Sequence, residues 1–374
     1  MEKQLYFDIA ATTPMDLSVA EIINKINIEN FGNPSSVHAI GQKSHNIIER
    51  SRLSIANILN CKSSEIIFTS GGSEANNMIL KGVLKKGDHL ITTTYEHPSI
   101  LELAKQMNNN GINVTFIKPN KDGLINTQDI ESAIQDNTKL ISIMWVNNEL
   151  GTINNIEKIG EIAENHKILF HSDAVQFIGK KNVDLSNCKI NFLSLGAHKF
   201  YGPKGIGILY CKSGNTFTPL IDGGGQENGL RAGTENISLI AGMDTALQIA
   251  NDNYKINQQK IQALENQLIN LLENSNIEYR INGSNRLTGI LNITFFNVEG
   301  HNLLMNLDME GIAISYGSAC SSGSTNAPQA LIEIGMPINE ARCSVRISIG
   351  KMITENNIKR LFKSLNNIIN RIKK

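Results

Sequence analysis

Between about residue 60 and residue 250, short apolar runs alternate with stretches whose apolar residues recur every three or four positions. The runs are Ile66-Ile67-Phe68, His89-Leu90-Ile91, Val114 to Ile117, Leu140 to Trp145, Ile168-Leu169-Phe170, Phe192-Leu193 and Ile206 to Tyr210. Intervening stretches such as Ile100 to Asn109 and Ile156 to Asn165 have the spacing of crossover helices. The pattern predicts an α/β fold on a mostly parallel sheet, with ligands at the carboxyl ends of the strands.

From Asn236 to Asn274 the chain is proline-free and rich in Asn and Gln, with Ile240, Met243, Leu247, Ile261, Leu264, Leu268 and Leu271 at helical intervals. This predicts a long helix, broken near Asn253, that joins two domains. A strand at Leu291 to Phe296, a helix from about Gly300 to Glu310, a strand at Ser344 to Ile349 and an amphipathic helix carrying Ile358, Leu361, Leu365 and Ile368 follow. The expected division is a large domain over 14–255 and a small one over 256–374 that also takes in 1–13. A length of 374 residues accommodates two domains.

Composition narrows the function. Lys+Arg and Asp+Glu both number 35, so no general field favours nucleic acid or anionic lipid. Met1-Glu2-Lys3-Gln4 leads directly into a strand-like Leu5-Tyr6-Phe7, and no apolar run approaches the 18 or so residues of a membrane span. A cytoplasmic protein with no membrane or direct nucleic-acid partner is expected. The cysteines are five, scattered and without a C-x-x-C pair, which argues against a disulfide framework and against a zinc site.

The densest chemical signal is Leu195-Gly196-Ala197-His198-Lys199, a lysine at the end of an apolar strand, before a glycine-punctuated turn. Alone, such a lysine reads as a solvated surface residue. Upstream, however, Phe170-His171-Ser172-Asp173 places an aspartate just past a buried strand, where a carboxylate needs a cationic partner. A pyridinium nitrogen meets that need, and a Schiff-base lysine with a pyridinium-pairing aspartate is the constellation for pyridoxal 5′-phosphate. Thr69-Ser70-Gly71-Gly72-Ser73-Glu74 supplies a glycine turn opening a helix, a site for a phosphate, and matches neither nucleotide-binding glycine pattern.

Asp8 to Pro14, Gly32-Asn33-Pro34-Ser35-Ser36-Val37-His38, the Ser-Gly-Gly-Ser-Glu-Ala-Asn turn, Glu96-His97-Pro98, Val146 to Gly151, Ser172 to Gln176, Ala197-His198-Lys199, Arg231 to Thr234, Gly317-Ser318-Ala319-Cys320 and Ser344-Val345-Arg346 occur in that order. Together they resemble the cysteine desulfurases of the NifS/IscS type, in the class V aminotransferase superfamily, over nearly the whole chain. The resemblance implies a fold-type-I pyridoxal-phosphate enzyme: a large domain on a mostly parallel seven-stranded sheet plus a small C-terminal α/β domain. It assigns Lys199 to the cofactor link, Asp173 to the pyridine nitrogen, Gln176 to the ring hydroxyl oxygen and His97 to stacking and proton transfer. Asn148 would lie beside the cofactor, Gly72, Ser73 and His198 at its phosphate, and Thr234 at the phosphate of a partner protomer. Arg346 and Asn33 would clamp the substrate carboxylate.

Cys320 stands in a small, polar, glycine-bearing segment, as expected of a mobile surface loop. The resemblance makes it the residue that takes sulfur from L-cysteine as a persulfide, releasing alanine. Cys61, Cys188, Cys211 and Cys343 read as packing residues. A homodimer and a sulfur-acceptor protein, either an iron–sulfur scaffold or a tRNA-thiolation enzyme, are the implied partners. Selenocysteine lyase or another class V enzyme is the alternative, with a non-catalytic sulfur-trafficking protein further off. One departure stands out: Gly196 occupies a position where the family usually has a phosphate-binding serine.

Overall fold

The structure, a computed structural model, describes residues 4–317 and 327–372. In chain order the elements begin with β1 (Leu5–Tyr6), α1 (Leu17–Glu29), α2 (Ala39–Leu59), β2 (Ile66–Thr69), α3 (Gly72–Val83), β3 (His89–Thr93) and α4 (Pro98–Asn109). Then come β4 (Asn113–Ile117), α5 (Thr127–Ser132), β5 (Thr138–Ser142), α6 (Ile156–Asn165), β6 (Leu169–Asp173), β7 (Phe192–Gly196) and β8 (Gly207–Cys211). The remainder is α7 (Ile237–Glu273), β9 (Tyr279–Asn282), β10 (Ile290–Phe295), α8 (Gly300–Met309), β11 (Ile312–Ala313), α9 (Gln329–Glu333), α10 (Ile338–Arg342), β12 (Ser344–Ser348) and α11 (Glu355–Ile372).

The seven apolar runs become one seven-stranded sheet in the order β2-β8-β7-β6-β5-β3-β4. All its pairings are parallel except those of β8, which runs antiparallel to both β2 and β7. Successive strand residues serve opposite faces. Ile66, Phe68, Ile91, Ile141, Leu193 and Ile208 pack into one core with residues of α2, α6 and α7, whereas Ile67, Leu90, Leu140, Phe192 and Leu209 pack into another with α3 and α4. Burial on both faces is why these runs read as continuously apolar.

A separate core gathers Leu264, Leu268 and Leu272 of α7 with β10, β12, α8, α11 and, from the N-terminal segment, Leu5 and Phe7. Its strands form an antiparallel sheet, β12-β10-β9, and β1 pairs in parallel with β11. The expected break near Asn253 is absent: α7 runs unbroken for 37 residues. Asn253 Nδ2 donates to the Ile249 carbonyl oxygen one turn back at 2.8 Å, so its side chain bonds within the helix instead of ending it. No helix among the described residues is long and apolar enough to cross a membrane.

A buried ion pair fixes the loop before α7. Arg52 on α2 donates to both carboxylate oxygens of Glu227, at 2.7 and 2.9 Å, and to the Ile66 carbonyl, while the Phe68 N–H donates to Glu227 Oε2 at 3.0 Å. One loop is thereby tied to α2 and to an edge strand of the main sheet.

Candidate active site

The carboxyl ends of β3, β5, β6 and β7 open on one edge of the sheet, and their loops line a cleft of about 860 Å³ including its open mouth. His97 follows β3, Met144, Val146 and Asn148 follow β5, Asp173 ends β6, and His198 and Lys199 follow β7. Gly72, Ser73 and Asn76 come from the start of α3, Gln176 from the turn after β6, and Arg346 from β12. Nine of the residues singled out in the sequence, Gly72, Ser73, His97, Asn148, Asp173, Gln176, His198, Lys199 and Arg346, therefore meet in one place.

Asn33 and Thr234 do not. Both are exposed. Asn33 Oδ1 accepts the Ser35 N–H at 2.9 Å, a local bond within its own turn. The Thr234 loop is steered toward α3 by the ion pair of Arg231 with Glu74, at 2.8 Å. Cys320 lies outside the described residues. Its described flanks adjoin the cleft: Ser315 and Arg346 exchange backbone hydrogen bonds at 3.0 and 2.8 Å, and Gly317 packs beside Pro328.

Asp173 is buried, and among the described residues no lysine or arginine forms an ion pair with it. Its Oδ1 accepts the Val175 N–H at 3.0 Å and its Oδ2 accepts from Asn76 Nδ2 at 2.8 Å. Asn76 also donates to Ser99 Oγ at 2.9 Å, and Ser99 Oγ lies 2.8 Å from His97 Nδ1. Because Nδ1 also accepts the Ser99 N–H, the hydrogen-bond network assigns the ring proton to Nε2. Burial, opposed by Asp173 and assisted by Lys199, lowers the His97 pKa, so the imidazole is neutral at pH 7. Asn76 ends the glycine-turn motif, where nothing local marks a role; the fold makes it the bridge between Asp173 and His97.

Lys199 Nζ donates to the carbonyls of Ala10 and Ala11, each at 2.7 Å, which brings the N-terminal segment to the cleft wall. His198 Nδ1 lies 3.1 Å from Thr12 Oγ1, and burial with the neighbouring cations pushes its pKa down to about 4. At the other end of the cleft α3 begins on Gly71 without a side-chain cap, leaving first-turn N–H groups for an anion. A Cβ on Gly72 would sit 2.6 Å from Val175 Cγ2, so only glycine lets the β6 loop close onto this helix start.

Arg346 is buried. Its Nη1 donates to the Asn148 carbonyl and its Nη2 pairs with Asp8, both at 2.7 Å, while Nε has no partner among the described residues. Glu149 beside it accepts the Ala330 N–H at 3.4 Å, and burial raises its pKa against the pull of Arg346. The packing cysteines are poor nucleophiles: burial pushes the Cys61 thiol up to about 12 and those of Cys188 and Cys211 to about 11. Cys343 is raised for the same reason.

The class V aminotransferase family model matches residues 5–361. The chain is 42% identical over 377 residues to the cysteine desulfurase IscS of Clostridium botulinum strain Hall, covering 99% of this chain and 95% of that protein. Among solved structures, a NifS-like protein superposes with a TM-score of 0.92 at 34% identity, covering 98% of this chain and all of the other (100%). SspA in complex with cysteine superposes at 0.83 and 38%, covering 93% and 99%. A chain matched over this span by the family model, and this similar to its curated members, belongs to the class V aminotransferases in their cysteine desulfurase branch.

Proposed function

We propose that the protein is a pyridoxal 5′-phosphate-dependent cysteine desulfurase that converts L-cysteine to L-alanine and keeps the sulfur as a persulfide on Cys320. The observation that carries the reading is the pairing, across one cleft, of Lys199 with a buried Asp173 that no lysine or arginine neutralises among the described residues. A buried carboxylate without a cation calls for one from the cleft, and a pyridinium nitrogen is such a cation. The uncapped start of α3 suits a phosphate at the opposite end.

When bound, pyridoxal phosphate supplies an electron sink that lets the Cα–H and then the Cβ–S bond of an amino acid break heterolytically. The chain's residues do the rest. Gly72, Ser73 and His198 would hold the phosphate, with Thr234 of a partner protomer completing its site. Asp173 would pair with the ring nitrogen, Gln176 would donate to the ring oxygen, and His97 and Asn148 would hold the ring between them. Arg346 orients the substrate through its carboxylate, for which a guanidinium fork is suited. Lys199 accepts the proton from Cα, and neutral His97 is positioned to pass protons. The Cys320 thiolate attacks the substrate sulfur: an S–S bond forms, the Cβ–S bond breaks with its electron pair left on the β-carbon, the two sulfurs together give up two electrons, and the β-carbon, taking a proton, is reduced to the methyl of alanine.

Carriage of sulfur on a side chain implies an acceptor, an iron–sulfur scaffold or a tRNA-thiolation enzyme. A homodimer is supported by the exposed Thr234 and by apolar side chains bare on α1, α2 and their connection, among them Leu17, Phe31 and Val37 at 81, 76 and 90% exposure. The same reading divides the chain into a large domain over 14–255 and a small one over 256–374 with 1–13, in keeping with the separate core around α11.

The test is alanine formed from L-cysteine by the purified protein loaded with pyridoxal phosphate. The wild type forms alanine and Lys199→Ala loses the activity by several orders of magnitude. Unimpaired turnover in Lys199→Ala overturns the assignment.

A further inference from the structure

Lys199 also lines a second cavity, behind the cleft, whose walls include Lys180, Tyr254, Gln258, Ser348 and Lys351. Lys180 lies in the turn after β6, four residues beyond Gln176. Its Nζ donates to Gln176 Oε1 at 2.7 Å, and Gln176 Nε2 donates to the Ala10 carbonyl at 2.8 Å, the same oxygen that Lys199 Nζ contacts. The backbone at Lys180 is held in turn by Gln258 of α7, whose Nε2 donates to the Lys180 carbonyl at 2.9 Å.

We propose that Lys180 is a positioning residue of the site: it fixes which end of the Gln176 amide faces the cleft. The two ends of a glutamine amide are alike in shape, and their neighbours decide between them. Below its pKa of about 7 Lys180 is an ammonium with donors only, so it requires Oε1; a carbonyl oxygen has acceptors only, so Ala10 requires Nε2 at any pH. A flipped amide would set NH2 against ammonium and oxygen against oxygen. The orientation leaves one Nε2 hydrogen without a partner among the described residues, available to an acceptor in the cleft that Gln176 lines.

Lys180 also acts by charge. The groups around it are cationic or neutral: Lys199 after β7 and Arg346 of β12 repel its charge, His198 is held neutral with Lys180 among the causes, Tyr201 and Tyr254 share the cavity, and Lys351 is paired with Asp16 at 2.7 Å. Among the described residues no carboxylate lines the cavity. Burial, with those two cations, brings the Lys180 amine down to about 7. As an ammonium, Lys180 places a second cation in the cavity that Lys199 lines.

This inference rests on the reading of the cleft as a pyridoxal-phosphate site, and the two fail separately. The experiment compares wild type, Lys180→Met, Lys180→Arg, Gln176→Ala and the Lys180→Met/Gln176→Ala double variant. Each is loaded with pyridoxal phosphate and measured for the dissociation constant and for the pH midpoint of its visible absorbance band. Lys180→Met weakens cofactor binding and raises the midpoint by about half a unit or more, and Lys180→Arg restores both. In the double variant, cofactor affinity falls no further than in Gln176→Ala alone, as residues acting through one another require. Additive losses of affinity, or a midpoint unmoved in Lys180→Met, overturn the proposal while leaving the functional reading intact. A wild type that binds no pyridoxal phosphate overturns both.

Discussion

Glu96 holds its side chain against the floor of the cleft. Its Oε1 accepts from Thr93 Oγ1 at 2.8 Å and from the Met144 N–H at 3.0 Å, and its Oε2 is buried without a partner. Burial, augmented by the charge of Asp173, lifts its pKa from the ordinary 4.5 to about 8. Between those two values the folded chain keeps a proton that the unfolded chain has lost, so stability falls as pH rises from about 4.5 to about 8 and levels off above. Glu96→Gln is expected to remove that fall; denaturant unfolding at pH 5 and pH 8 measures it. Gly196 makes a second prediction. A Cβ there would meet the Gly72 nitrogen at 3.6 Å and the His198 ring no closer, and the backbone is extended at φ −136°, so a serine fits without strain. Gly196→Ser adds a hydroxyl beside the phosphate end of the cleft and tightens pyridoxal phosphate by about fivefold, about 1 kcal/mol for one hydrogen bond, in an equilibrium titration. The sequence motifs name Lys199, Asp173 and His97 because each is a reactive type in a distinctive neighbourhood. Lys180 passes unnoticed there, and Glu96 and Asn76 stand in their motifs without a role, because their roles arise from contacts with residues far along the chain, which no local pattern carries.

The elements follow the apolar pattern closely where a segment meets a single core. Helix α11 lies where periodicity predicts it, since it turns one consistent face inward, and strand β10 lies where Leu291, Ile293 and Phe295 alternate into the same core. Helix α7 does not, for a physical reason. Its first half packs into the core shared with α2 and its last turns into the core shared with α11, while none of the residues from 251 to 263 is buried. The apolar repeat lapses across that span, and in the sequence a bridging helix looks like a break. Helix α2 carries the next prediction. Arg52→Ala leaves Glu227 buried without its cation and costs about 3–5 kcal/mol in a denaturant titration. The same substitution loosens the loop leading to Thr234, so cofactor affinity falls with stability; a variant of unchanged stability contradicts the account of this loop.

At the scale of the whole molecule the site is assembled from pieces remote in sequence. The N-terminal segment supplies the carbonyls that Lys199 touches, the main sheet supplies the chemistry-bearing loops, and β12 supplies Arg346, whose backbone also binds the strand leading to Cys320. If Thr234 serves the neighbour's phosphate, mixing Lys199→Ala and Thr234→Ala protomers creates one site per heterodimer with both residues intact. Cofactor affinity at that site then matches wild type, whereas a Thr234 acting within its own chain gives no recovery.

The central claim is that sulfur leaves L-cysteine through Cys320. The direct measurement is the alanine released in a single turnover without reductant, together with the intact mass of the chain, for wild type and Cys320→Ser. The wild type should release alanine and gain the mass of one sulfur atom, on the peptide that carries Cys320, while Cys320→Ser should do neither. Equal alanine from both, or sulfur retained on Cys61, Cys188, Cys211 or Cys343, would contradict the account.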